Sequence, residues 1–200
     1  MGLTKQYLRY VSCGNFNIIA NPGCNLAFVT LEGQVGRFVA VGACEHIIIW
    51  DLRLGEKAQV LLGGKSVATY LCPSPNKRNL AVGYMDGNIQ IGYMDGNIQI
   101  YDLKSGDIIN IFSGHHSEVT ALCYDNFGHK LASGSKDTDV IVWDTVAEIG
   151  LCRLSGHTGP ITQLVFMLEQ PVLITNILQV GQGRLSLEEV MLFPFWLLEV

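Results

Sequence analysis

Dipeptides pairing an aromatic residue with aspartate recur along this chain at a fixed period. They predict an all-β fold, an incomplete WD-repeat β-propeller of about three blades in an open arc with a non-repeat C-terminal tail. The dipeptides are Trp50-Asp51, Tyr101-Asp102 and Trp143-Asp144, and 42 residues separate Tyr101 from Trp143. The interval from Trp50 to Tyr101 is 51 residues, but it holds a tandem duplication, GYMDGNIQI at 83–91 and again at 92–100, and removing one nine-residue copy restores 42. A second marker runs in phase: thirteen residues after each aromatic stands a glycine (Gly63, Gly114, Gly156), followed in the last two cases by His115 and His157. A unit of about 40–45 residues marked in this way is a propeller blade.

The elements follow from this frame in order. Residues 46–50 are apolar and β-branched and end on the dipeptide, as an inner strand of a blade, with 58–62 as the outer strand that follows. The next blade opens at 67–72, continues at 79–83 and completes its third strand at 97–101. The cycle repeats as 107–112, 118–124, 130–135 and 139–143, then begins again with 150–154, 160–166 and 171–175. Turn formers separate the strands: Pro73-Ser74-Pro75-Asn76, Asp86-Gly87 and Asn126-Phe127-Gly128. Asp-Gly between two apolar strands is a hairpin signal.

After Thr175 the rhythm stops, because Leu185 stands where the repeat requires an aromatic and no aspartate follows it. The expected boundaries are a partial propeller over 1–175 and a divergent apolar tail over 176–200. The tail ends VMLFPFWLLEV, apolar without a stable period. It reads either as an amphipathic membrane or partner segment or as a stretch unrelated to the fold. The duplicated unit holds the end of one strand, a turn and the start of the next. Two copies therefore encode one extra strand, which would reverse every strand after it in an alternating sheet. The expectation is that one copy is looped out and the blade order kept.

The most complete blade carries four polar markers. Ser133, Asp137 and Trp143 lie 18, 22 and 28 residues after His115. In a blade this spacing gathers the four: aspartate accepts from the imidazole, the imidazole reaches the serine hydroxyl, and the hydroxyl meets the indole N–H. Pairing each buried polar group avoids about 1–3 kcal/mol per unsatisfied one. A Ser, His and Asp together also suggest a hydrolase, but no G-x-S-x-G elbow occurs and the serine is expected beneath the tryptophan. The preceding blade substitutes Gly64, Val82 and Tyr101 at these positions and keeps only an aspartate, Asp86 or Asp95. The last has His157 and Thr175 without the Asp and Trp, and it is expected to fray.

Composition narrows the function. The net charge is −5 with no Lys/Arg run, so a basic nucleic-acid face is not supported and protein partners are expected. The six cysteines, Cys13, Cys24, Cys44, Cys72, Cys123 and Cys152, form no C-x-x-C pair, which argues for free buried thiols over zinc. No secretory signal core and no apolar stretch of bilayer length are visible, so a reducing, soluble compartment is expected. Gly63-Gly64-Lys65-Ser66 looks like the end of a phosphate-binding loop, but Gln59 replaces its first glycine and the segment falls on the Gly-His slot of the repeat. Gly181-Gln182-Gly183 lacks a third glycine. No cofactor or metal site is expected. A seven-bladed propeller needs roughly 300 residues, so 200 residues are not expected to close one alone.

Beyond the repeat, MGLTKQYLRY, ACEHIIIWDLRLGEK, LCPSPN, LASGSKDTDVIVWD and GLCRLSGH resemble the N-terminal region of the Dip-two/Utp-twelve type family of small-subunit processome subunits. The likeness runs from residue 1 to about 175, interrupted by the duplicated copy, and its specific parts are the opening and the GSKDTDVIVWD run. It implies a non-catalytic scaffold of ribosome biogenesis, active in pre-rRNA processing and small-subunit assembly. Its partners would be protein complex subunits, with snoRNA and pre-rRNA association indirect, no membrane, and a location in the nucleus and nucleolus. The family's further blades, second propeller and C-terminal helical domain have no counterpart in this sequence, and the tail after Thr175 matches nothing in its pattern. A generic WD-repeat adaptor, such as a ubiquitin-ligase substrate receptor, and a non-functional truncated product are the alternatives.

Overall fold

The structure, a computed structural model, describes residues 20–63, 66–85, 96–167, 172–181 and 184–194. Antiparallel sheets follow one another along the chain, each built from consecutive strands. The first orders β1 (Ala27–Leu31), β2 (Gln34–Ala43), β3 (His46–Asp51) and β4 (Glu56–Leu61). The second orders β5 (Val67–Pro73), β6 (Asn79–Met85), β7 (Gly96–Asp102) and β8 (Ile108–His115). The third orders β9 (Val119–Tyr124), β10 (Lys130–Ser135), β11 (Val140–Asp144) and β12 (Ile149–Leu154). The fourth has three strands, β13 (Ile161–Phe166), β14 (Val172–Gly181) and β15 (Arg184–Pro194). The first strands of successive sheets, β1, β5, β9 and β13, contact one another in turn, so the sheets fan out as blades from a shared inner edge. Each dipeptide ends the third strand of its blade, one place in from the outer edge.

Two parts of this architecture lie outside the sequence expectation. A hairpin precedes β3: β1 and β2 pair from Ala27↔Ala40 to Leu31↔Gln34, leaving Glu32 and Gly33 as a two-residue turn at φ 51° and 74°. Two positive φ values are what a tight hairpin of this hand demands. The second is the tail. β14 continues past Thr175 to Gly181 and pairs with β15 from Val172↔Pro194 to Gly181↔Arg184. Ladder pairing uses backbone groups, so the missing aromatic-aspartate marker does not prevent it.

The duplication leaves the blade order intact. β6 ends on Tyr84 and Met85 of the first copy, β7 begins at Gly96 of the second, and the two pair from Asn79↔Asp102 to Gly83↔Ile98 within a four-stranded sheet. The expected excursion falls on residues 86–95, outside the described residues. Deleting residues 87–95 joins Asp86 directly to Gly96 and recreates an Asp-Gly hairpin. Closing a shorter loop costs less entropy, so the deletion is expected to raise stability by about 1 kcal/mol. Urea unfolding of the two forms checks it, and unfolding of the shortened blade would refute it.

Burial on both faces explains why the strands read as unbroken apolar runs. Along β11, Ile141 and Trp143 pack with Ala81, Ile98, Ile100 and Phe112 of the preceding blade. The alternate residues Val140 and Val142 pack with Ile161, Leu164, Leu173 and Ile177 of the following one. β11 thus serves two cores, and a side chain fully buried in either is worth about 1.5–3 kcal/mol. Polar side chains add ties between inner strands. Thr69 of β5 donates to the Val119 carbonyl of β9 at 2.6 Å, and Thr120 of β9 donates to the Ile161 carbonyl of β13. Asn25 accepts from the Leu71 N–H at 2.7 Å and donates to its carbonyl at 2.8 Å.

Candidate functional site

The markers converge at the junctions between blades. His115 is the last residue of β8, on the outer edge of the second blade, yet its ring lies in the third. Its Nδ1 stands 3.1 Å from Asp137 Oδ2, and its Nε2 stands 2.7 Å from Ser133 Oγ. Trp143 Nε1–H donates to the same hydroxyl at 2.8 Å. Because a carboxylate only accepts, Nδ1–H donates to Asp137, and the Ser133 O–H is left to donate to Nε2. The four residues therefore join two sheets.

Asp137 has further donors: the His116 N–H at 2.8 Å and the Asp139 N–H at 3.1 Å. Burial by itself raises its pKa, but the hydrogen bond from His115 and these backbone N–H groups outweigh it and hold the carboxyl well below the usual carboxylate range. Around the network, Phe112 stacks on Trp143 with ring centroids 5.0 Å apart. A Cβ on Gly114 would come within 2.9 Å of the Trp143 ring. The glycine of the Gly-His marker is thus the residue that lets the outer strand lie flat on the indole.

The neighbouring junctions use other chemistry in the same place. Between the first two blades, the Tyr101 hydroxyl lies 2.9 Å from that of Tyr84 and donates to Gln99 Oε1 at 2.7 Å, with the Leu62 carbonyl oxygen 3.2 Å away. Burial is the main force pushing both phenols above the ordinary tyrosine value. Sequence reasoning missed this set, because Tyr84 and Gln99 stand at positions the marker template does not use. Gly63 serves the junction from behind: a Cβ there would lie 1.6 Å from the Glu45 carbonyl oxygen. Gly64 and Lys65 of the loop-like motif lie outside the described residues, as do Asp86 and Asp95. At the third junction His157 Nε2 meets the Thr175 hydroxyl, both buried, while Gly156 carries the turn into β13.

The dipeptide aspartates do a separate job. Asp51 Oδ1 accepts from the N–H groups of Arg53 and Leu54, at 2.8 and 3.3 Å. Asp102 Oδ1 accepts from Lys104 N–H at 2.9 Å, and Asp144 Oδ1 from Val146 and Ala147, both at 2.8 Å. Each closes the turn to the outer strand as an Asx-turn. Asp51 also receives Arg37 Nε at 2.8 Å, and this side-chain bond is the main cause of its pKa falling from 3.8 to about 2. A depressed carboxyl contributes stability that is complete above its unfolded value and lost as pH falls through its folded one. Stability from Asp51 is therefore expected to fade between about pH 4 and pH 2, and Asp51→Asn to flatten that part of the curve. Denaturant midpoints against pH check this, and identical acid limbs would refute it.

Chemically, the Ser-His-Asp set has little freedom. Ser133 is 0% exposed and His115 1%, and the hydroxyl is engaged by imidazole and indole at once. A nucleophile needs a free approach and an oxyanion site beside it. Ser133→Ala is expected to cost about 1–2 kcal/mol by leaving the indole N–H and the imidazole short of a partner. A fluorophosphonate probe is expected not to label the native chain at Ser133, and labelling there would refute this reading. No group of three or more His, Cys, Asp or Glu placed to hold a metal occurs among the described residues. The described cysteines, Cys24, Cys44, Cys72, Cys123 and Cys152, are free thiols, and burial is the main cause holding Cys72 up at about 12.

Known proteins share the repeat and the fold. The family profile WD domain, G-beta repeat matches residues 106–144, the stretch that holds the His115 network. WD repeat-containing protein 3 of Mus musculus is 60% identical over 87 residues, which is 44% of this chain and 9% of that protein. U3 small nucleolar RNA-associated protein 12 of Saccharomyces cerevisiae is 31% identical over 153 residues, 66% of this chain and 15% of that protein. The matched stretches are thus a small part of the length of these relatives. Among solved structures, the one titled Crystal structure of RRP9 WD40 repeats superposes with a TM-score of 0.62 at 24% identity, over 77% of this chain and 44% of that one. The one titled Structure of U3-55K gives 0.65 at 23% identity, over 86% and 51%. The fold is that of WD40 propeller blades.

Proposed function

We propose that this chain of WD-repeat blades, similar in sequence to WD repeat-containing protein 3, is a non-catalytic scaffold of ribosome biogenesis that works within a small-subunit processome. The observation that carries the reading is the 60% identity to that relative over 44% of the chain, well above what shared blade markers alone produce. The likeness to a protein named as U3 small nucleolar RNA-associated supports the same setting. Burial of Ser133 under Trp143 supports a scaffold over a hydrolase, since it assigns the whole Ser-His-Asp set to holding blades together. In this reading the chain joins protein complex subunits, pre-rRNA and snoRNA are reached through them, and the location is the nucleolus.

Affinity purification of the tagged 200-residue chain from nuclear extract, with identification of what co-purifies, tests the proposal. Recovery of processome subunits together with small nucleolar RNA is expected. Recovery of ubiquitin-ligase subunits instead, or a diffuse cytoplasmic distribution of the tagged chain, would overturn it.

A further inference from the structure

One wall-to-wall feature of the arc is not used by the blade junctions. An open cleft of about 1220 Å³ lies between the first and second blades, on the side of the Asx-turns. Its two walls differ in chemistry. The wall from the first blade offers Val35, 69% exposed, beside the half-buried Leu31. The wall from the second blade offers Lys77 and Arg78 from the β5–β6 turn and Lys104 from the β7–β8 turn. Among the described residues these three cations make no ion pair, whereas Arg37 on the cleft floor is held by Asp51.

The turns that carry the cations are tied in place. Lys77 N–H donates to the Ser74 carbonyl and Arg78 N–H to Asn76 Oδ1, each at 2.9 Å. Leu103 N–H donates to the Arg78 carbonyl at 2.8 Å, which links the two turns to each other, and Lys104 N–H is fixed on Asp102 Oδ1. The backbone that carries the three charges is therefore held in place, so a bound segment has only the side chains to order.

We propose that this cleft docks an extended protein segment that alternates acidic and apolar side chains, with carboxylates on Lys77, Arg78 and Lys104 and an apolar side chain against Val35. Charge complementarity selects this occupant. A nucleic acid would bring a phosphate at every step. The carboxylates of Glu32 and Asp102 stand among the cleft residues, and the chain as a whole is at −5, so a continuous polyanion meets repulsion that a segment with spaced carboxylates avoids. The inference takes the class of partner, protein, from the scaffold reading, but it does not depend on which complex the scaffold joins.

The test is fluorescence anisotropy on the full 200-residue chain with a labelled Gly-Ser-Glu-Leu-Glu-Phe-Glu-Ser-Gly peptide, its Glu-to-Lys counterpart and oligouridine as probes. Saturable binding of the acidic peptide is expected, weakening with salt and by about tenfold or more in the combined Lys77→Glu, Arg78→Glu, Lys104→Glu variant, with the lysine peptide inert. Val35→Ser is expected to weaken binding without changing its salt dependence. A photoreactive version of the peptide, used on the unaltered chain, is expected to cross-link to the β1–β2, β5–β6 and β7–β8 turns, which keeps the test independent of how the variants fold. No saturable binding, unchanged affinity in the triple variant, cross-links elsewhere, or tighter binding of oligouridine through the same three cations would each overturn the proposal. Because the assay reads the cleft alone, its failure leaves the purification result for the scaffold reading unaffected.

Discussion

Trp143→Ala is expected to be the most damaging single substitution in the described arc, lowering stability by about 3–5 kcal/mol. The indole has three functions at once. It fills the core between the second and third blades, it stacks on Phe112 with centroids 5.0 Å apart, and it donates to Ser133 at 2.8 Å. Its removal leaves a cavity bounded by two sheets that are each pinned by other contacts, so collapse around it is limited. Domains of ordinary size are stable by about 5–15 kcal/mol, so such a loss is a large fraction of the total. Trp143→Phe keeps most of the ring and forfeits the N–H, and is expected to cost far less. Guanidinium unfolding of the three forms checks the order, and equal midpoints for Ala and Trp would refute it.

His115→Ala is expected to cost about 2–3 kcal/mol, second only to Trp143→Ala. Among the described residues the ring is the one side chain that bridges β8 to both Ser133 and Asp137. Without it Ser133 loses its nearest partner and the Asp137 carboxylate loses its imidazole donor. The cost stays below that of a fully stranded buried ion, because Asp137 keeps the N–H groups of His116 and Asp139 and is not wholly enclosed. Sequence context offers a built-in comparison. The junction between the first two blades has Gly64 at the marker-histidine position and uses the Tyr101–Tyr84 hydroxyl pair, so Tyr84→Phe is the matching deletion there. Thermal melts with hydrogen exchange at β8 and β11 check the prediction. Loss of protection confined to the third blade, with β8 unaffected, would contradict an interblade role.

Much of this was legible in the sequence, for a reason that also marks where legibility ended. The network was found from separations of 18, 22 and 28 residues because blades repeat as rigid supersecondary units, so fixed spacing becomes fixed geometry. β1 and β2 were not found because their turn is Glu32-Gly33, a weaker hairpin signal than Asn-Gly or Asp-Gly, and because no dipeptide flags their end. β15 was not found because no aromatic-aspartate marker flags it, although Gly181-Gln182-Gly183 stands immediately before it. The partners of Tyr101, Tyr84 and Gln99, were invisible because each stands two places from a marker position, Val82 and Tyr101. The aspartates of the dipeptides were visible as markers, but their work on the turn N–H groups was seen only in three dimensions. Spacing therefore located the junctions, while the chemistry that fills each junction is particular to it.

The central claim is that the polar markers at this junction act as one cooperative unit and not as separate contacts or as a catalytic set. A double-mutant cycle on Ser133→Ala and Trp143→Phe, read by equilibrium denaturant unfolding, tests it most directly. If the hydroxyl and the indole N–H stabilise the arc through each other, the two changes together are expected to cost about 1 kcal/mol less than the sum of the separate losses. Strict additivity would show that the 2.8 Å contact carries no shared energy and would contradict the account.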